Sequence, residues 1–247
     1  MVAESGFYKF GRIAGVKFRR AKWIWESVTG SEADAVLAEY GVGQEMATVI
    51  LDQAPYEPDV KVQAFLDPIV NQLEQSVRKN FHRFSVTAVA ESDRPTAFAL
   101  PGGFIFIAPS LVELCDHDRN EIAFVLAHEM AHVIRRHAIN RLLREKAMSL
   151  AALATPGRGA FAPWIRKVGF QWLERAHSRA QELEADELGT LLMRAAGFDP
   201  AGAIRLLERF RRLDQTADDF GLGPYLSTHP NVGDRILNVR RLLVVKD

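Results

Sequence analysis

The sequence predicts an α+β fold that is mainly helical and carries one small sheet. Three observations predict it. Apolar residues recur at helical spacing, as at Phe65, Ile69, Leu73 and Val77. The stretch 122–134 is apolar nearly all round, which marks a helix buried inside a domain. Strand-like patterns are short: 84–90 alternates, and 97–100 and 104–107 flank Pro101-Gly102-Gly103, which reads as a hairpin-like turn.

Taken in order, residues 31–51 read as a helix, with Ser31 as its cap and Glu32 and Asp34 suited to its first turn. Pro55 and Pro58 make 54–59 a linker. A second helix follows over 60–80, with Pro68 as a kink point. After the strands, Asp118 with Glu121 three residues on resembles a capping box that opens the buried helix. Pro156-Gly157-Arg158-Gly159 breaks the helical run, which resumes over 163–196. Asp199-Pro200 opens another helix to about 213, residues 214–224 form a polar loop, and a last helix spans about 230–243. The chain thus divides into an N-terminal segment and helix, 1–58, and a domain over 59–247.

Composition sets bounds. With 31 basic and 31 acidic residues in 247, the formal net charge is zero, so there is no general nucleic-acid footprint. A hydrophobic content of 48% suffices for a sizeable core. Cys115 stands alone, which excludes an internal disulfide; it reads as a buried, inert thiol. No secretory signal or membrane-length apolar run is visible, so the expectation is a cytoplasmic chain. Residues 7–25 interleave Lys9, Arg12, Lys17, Arg19, Arg20 and Lys22 with Phe7, Tyr8, Phe10, Phe18, Trp23 and Trp25. Such a segment either packs its aromatics on the domain or makes peripheral contact with the inner face of a membrane.

The chemistry concentrates at His128-Glu129-Met130-Ala131-His132. Residues i and i+4 share one face of a helix, so two imidazoles at this spacing can grip one Zn²⁺, and Glu129 beside it can take a proton from water. Catalytic zinc usually keeps three protein ligands; Glu182 or Glu184 of Glu182-Leu183-Glu184-Ala185-Asp186 can be the third. Asp186, one turn after Glu182, can orient a ligand imidazole. Thr228-His229-Pro230 with Arg235 offers groups for an oxyanion. His82, His117 and His177 have no spacing partner and read as surface or structural. His137, in Arg136-His137-Ala138, falls five residues after His132, so it points away from the zinc face and reads as structural.

Together these segments, with Ala97-Phe98-Ala99-Leu100-Pro101-Gly102-Gly103, Arg136-His137-Ala138 and Ser178-Arg179, resemble the M48 family of zinc metallopeptidases, which includes the CAAX prenyl protease. The resemblance runs from about 59 to 243. It implies a gluzincin-like zincin fold and one Zn²⁺ per chain held by His128, His132 and Glu182. It makes Glu129 the general base and proton donor, Asp186 the partner of a ligand histidine, and His229, assisted by Arg235, the oxyanion contact or resting occupant of the open metal position. It also chooses Glu182 over Glu184, because the family's ligand precedes the aspartate by four. Ala131 stands where members often have Gly, and Thr96 where they often have Asn.

The implied activity is endopeptidase cleavage of polypeptides, with protein quality control as a setting by analogy. An extended substrate would pair with a sheet edge formed by Ala97, Phe98, Ala99, Leu100, Gly102 and Gly103. The rival reading is a zinc-containing, chaperone-like peptide-binding module with little turnover.

Overall fold

A computed structural model describes residues 32–53, 59–77, 82–89, 95–144, 177–215 and 223–244. The basic and aromatic segment 7–25, the Ser31 cap, the break at 156–159 and the start of the 163–196 run lie outside the described residues. The architecture is mainly helical with one small three-stranded sheet, as the sequence predicts. Among the described residues no helix is long and apolar enough to cross a membrane.

Helix α1 (Glu32–Gln53) is followed by α2 (Val60–Gln75), which Asp59 caps by accepting from the backbone N–H groups of Lys61 and Val62. Helix α2 buries Leu66, Ile69 and Leu73 and continues through Pro68. Strands β1 (Ser85–Ala88), β2 (Ala97–Ala99) and β3 (Phe104–Ile107) lie in the order β1-β3-β2. β3 runs parallel to β1 and antiparallel to β2, with Ala97 opposite Ile107 and Ala99 opposite Ile105. The expected hairpin is therefore present. Its Pro101–Gly103 turn needs Gly102 in the left-handed region, at φ 79°, where a side chain would be strained.

Both outer strands are edges, and an edge must be covered or kept short. The β1 edge is covered by Gln63 of α2, whose amide donates to the Val86 carbonyl at 2.9 Å and accepts from the Ala88 N–H at 3.1 Å. The β2 edge is three residues long.

Helices α3 (Pro109–Leu114) and α4 (Arg119–Ile134) come next. Asp118 caps α4 through the N–H groups of Asn120 and Glu121, at 2.8 and 3.1 Å. Only this half of the expected capping box forms: the Glu121 carboxylate turns to Arg209, accepting from its Nε at 3.1 Å. Helix α4 is buried along nearly its whole length, between α2, β2 and the later helices Arg179–Ala195 and Ala201–Gln215. Each wholly buried side chain of Leu or Phe size, such as Phe124 or Leu126, contributes about 1.5–3 kcal/mol. Cys115 is buried in this core, and burial pushes its thiol well above the ordinary range.

The remaining elements are α5 (His137–Arg144), α6 (Arg179–Ala195), α7 (Ala201–Gln215), α8 (Gly223–Thr228) and α9 (Val232–Val244). Helix α1 packs on the Pro101–Gly103 turn and on β3. It fits because Gly43 has no Cβ: one placed there would overlap the Pro101 carbonyl. From the same helix, buried Glu39 accepts from Arg136 Nε at 2.6 Å.

Candidate metal centre

Three helices converge on one buried point. Helix α4 supplies His128, Glu129 and His132, all at most 2% exposed. Helix α6 starts at a capping box in which the Ser178 side chain accepts from Gln181 N–H while the Gln181 amide accepts from Ser178 N–H. That fixes Glu182 in the first turn and Asp186 one turn on, both wholly buried. The two helices approach closely because Gly189 faces α4; a Cβ there would sit 3.0 Å from the backbone nitrogen of His128. His229 lies between α8 and α9, its N–H bonded to Tyr225 O at 2.9 Å, and α9 carries Arg235.

The donor atoms fit a metal ion. His128 Nε2 and His132 Nε2 are 3.0 Å apart, and the Glu182 carboxylate oxygens lie 3.6 and 3.3 Å from them. Ligands at about 2.0–2.1 Å from a tetrahedral zinc are about 3.3 Å from one another, so these separations are of the right size. His229 Nδ1 completes a fourth corner, 3.3 Å from His128 Nε2 and 3.2 Å from Glu182. His128 Nδ1 is 3.0 Å from Asp186 Oδ1 and 3.4 Å from Arg235 Nη2. The shorter approach to a carboxylate puts the proton on Nδ1 and leaves the Nε2 lone pair facing the centre.

The electrostatics suit a cation. Burial would raise the Glu182 carboxyl, but His229, Arg235 and His132 hold it well below the usual carboxylate range. Asp186 is likewise held down against burial, by Arg235 and His128. Burial drives His132 well below the ordinary imidazole range, so its ring is neutral, as a ligand must be. His229 goes the other way: burial opposes its charged form, but Glu182 and Glu129 raise it. Two buried carboxylates, Glu182 and Asp186, share one guanidinium, Arg235. Glu129 is raised by burial, and among the described residues its Oε1 accepts no hydrogen bond; His229 Nε2 stands 3.5 Å away.

Glu129 opens on a cavity lined also by Phe98, Ala99, His132, His177 and His229. The structure therefore brings Glu129, the three expected ligands, Asp186 and His229 together, with Phe98 and Ala99 at their mouth. The rest of the expected substrate strand lies elsewhere. Ala97 and Leu100 are buried in the core, Gly102 lies beneath Tyr40 of α1, and Gly103 packs on the Arg83 carbonyl. Arg235, expected at the oxyanion, is turned behind the ligands: Nε and Nη2 grip Asp186 at 2.9 and 2.8 Å, and Nη1 reaches Glu182 at 3.1 Å. Glu184, the other ligand considered, points out to His137 and Arg135.

Two residues read as structural sit at the site instead. The His137 Nδ1 is 2.8 Å from His132 Nδ1, and the His177 ring lies on the His132 ring with centroids 3.9 Å apart. Helical spacing placed His137 on the wrong face because α4 ends at Ile134; Arg136 then takes φ 58° and swings the chain back. The signal available in the sequence was a third histidine within ten residues of the first.

A buried two-histidine helix with a crossing glutamate, and a buried carboxylate at a cavity beneath a short edge strand, define a metallopeptidase domain. Its lineage is equally plain: the family model of peptidase family M48 matches residues 59–243, and the chain belongs to that family. It is similar to the mitochondrial metalloendopeptidase OMA1 of Saccharomyces cerevisiae, 35% identical over 187 residues, covering 73% of this chain and 52% of that protein. The OMA1 of Schizosaccharomyces pombe is 34% identical, over 63% of this chain and 45% of its own length. The beta-barrel assembly-enhancing protease of Escherichia coli K12 is 27% identical, over 85% of this chain and 45% of that protein. The chain thus spans about half the length of these relatives.

Proposed function

We propose that this chain is a zinc-dependent endopeptidase with Glu129 as its general base. The observation that carries the reading is the Glu129 carboxylate: buried, raised by burial, with an Oε1 that accepts no hydrogen bond among the described residues, and facing the cavity beside the His128–His132–Glu182 cluster. A structural metal site has no use for such a group. His128, His132 and Glu182 would hold one Zn²⁺ per chain. Bound there, the ion would polarise the scissile carbonyl and lower the pKa of water at the site.

The residues then act as follows. The β2 edge at Phe98 and Ala99 pairs with an extended polypeptide and sets its carbonyl over the cavity. Glu129 Oε1 takes a proton as the water oxygen bonds to the carbonyl carbon. His229 Nε2, on the same cavity, donates to the developing oxyanion. As the C–N bond breaks, Glu129 returns the proton to the leaving amine. Arg235 and Asp186 hold Glu182 and His128 in place from behind.

This unit runs over 59–247, with α1 docked on it. Protein quality control is the setting this reading favours; one relative is named as a beta-barrel assembly-enhancing protease. Peripheral membrane contact through residues 7–25 is part of this reading; a cytoplasmic location is not supported by the yeast relative, which is named as mitochondrial.

Cleavage of an unstructured peptide library, mapped by mass spectrometry, tests the mechanism. Glu129→Gln is expected to lose at least about 100-fold in rate while its zinc content stays that of the wild type. Equal cutting by both forms sinks the assignment of the base. Zinc retained with no cutting by either form favours the chaperone-like peptide-binding module.

A further inference from the structure

The two histidines of α4 are both backed through Nδ1, but by different groups. Asp186 stands behind His128. Behind His132 stands another imidazole, His137, 5% exposed, with Nδ1 to Nδ1 at 2.8 Å. Two nitrogens at that distance share one proton, and the far end of the chain decides which owns it. His137 Nε2 lies 3.3 Å from Glu184 Oε2, and the other oxygen of that carboxylate accepts from Arg135 Nε at 3.1 Å. A carboxylate only accepts, so His137 carries its proton on Nε2. Its Nδ1 is then a lone pair, and His132 Nδ1–H donates to it. The lone pair of His132 is left on Nε2, which faces Glu182 Oε1 at 3.3 Å and His128 Nε2 at 3.0 Å.

We propose that His137 is a positioning residue for the metal centre: it accepts the Nδ1 proton of His132, and Glu184 behind it sets the direction of that hydrogen bond. The inference rests on the reading of His132 as a metal ligand. It assigns work to two residues outside the ligand set, one of them half exposed at the surface. The His177 ring packs against His132 at a tilt of 35°, with centroids 3.9 Å apart, and offers it no competing Nδ1 contact shorter than the one to His137.

The test uses the full chain stripped of metal, with two readouts: imidazole nitrogen-15 shifts, which report each tautomer, and Zn²⁺ affinity by competition with a chromophoric chelator. In the wild type, His132 is expected as the Nδ1–H form. His137→Phe, which keeps bulk and removes the acceptor, is expected to lose about 10- to 100-fold in Zn²⁺ affinity. His137→Asn, whose amide oxygen sits near the position of Nδ1, restores most of it.

Glu184→Lys replaces the acceptor by a donor. It is expected to push His132 toward the Nε2–H form and to weaken Zn²⁺ binding; this side chain is 44% exposed, so the variant decides the matter even if His137→Phe fails to fold. His132 found as Nε2–H in the wild type, or a folded His137→Phe with unchanged Zn²⁺ affinity, overturns the proposal. A wild type that binds no Zn²⁺ overturns the peptidase reading instead, and the nitrogen shifts still judge the tautomer.

Discussion

On the Asp186 side of the centre everything is sealed. Glu182, Asp186, His128 and Arg235 are each at most 1% exposed and bond to one another in a closed set. On the His137 side the same kind of support runs outward. His137 is buried, but Glu184 and Arg135 are 44% and 48% exposed. The difference shows a division of labour. The sealed side can hold charge because water is excluded and every partner is fixed. The outward side ends at the surface, so its last links are held by solvent-screened groups and are the weaker ones.

That contrast can be broken from the sealed side first. Arg235→Leu leaves Glu182 and Asp186 buried without their cation, and the metal-free chain is expected to lose about 3–5 kcal/mol of stability. Urea unfolding measures it, and a loss under 1 kcal/mol would mean that the network is not closed. Added Zn²⁺ should recover part of the loss by replacing the missing charge. Gly189→Val comes next. It forces a side chain against the His128 backbone, so α4 and α6 must part, with an expected cost of about 1–3 kcal/mol and weaker Zn²⁺ binding; unaltered binding would show that the helix spacing does not set the ligand spacing. On the outward side, Arg135→Ala removes only a half-exposed ion pair. Thermal unfolding should register about 0–1 kcal/mol. A larger effect would erase the distinction between the two sides.

The sealed side was the legible one. His128, His132, Glu182 and Asp186 come in i, i+4 pairs on two helices, and a single-helix period suffices to put each pair on one face. The Asp118 cap and the Pro101-Gly102-Gly103 hairpin were readable for the same reason, since local chemistry determines both. What depended on the chain leaving a helix was not readable. His137 faces His132 because Arg136 adopts φ 58°, a turn that no apolar period announces. Gly102 and Gly103 were assigned to the groove because only the packing of α1 shows that the turn lies beneath it. Arg235 is expected at the oxyanion, but two carboxylates from α6 take its donors, a preference that no local pattern announces.

Helix α1 holds the turn that ends strand β2 and, through Glu39, holds Arg136, the residue on which the chain pivots into His137. Two joints of the site thus share a single mounting. At Gly43 the helix backbone meets the Pro101 carbonyl, with the Phe104 ring beside it. The strand edge and the histidine pivot therefore share one support, so a change that displaces α1 reaches both.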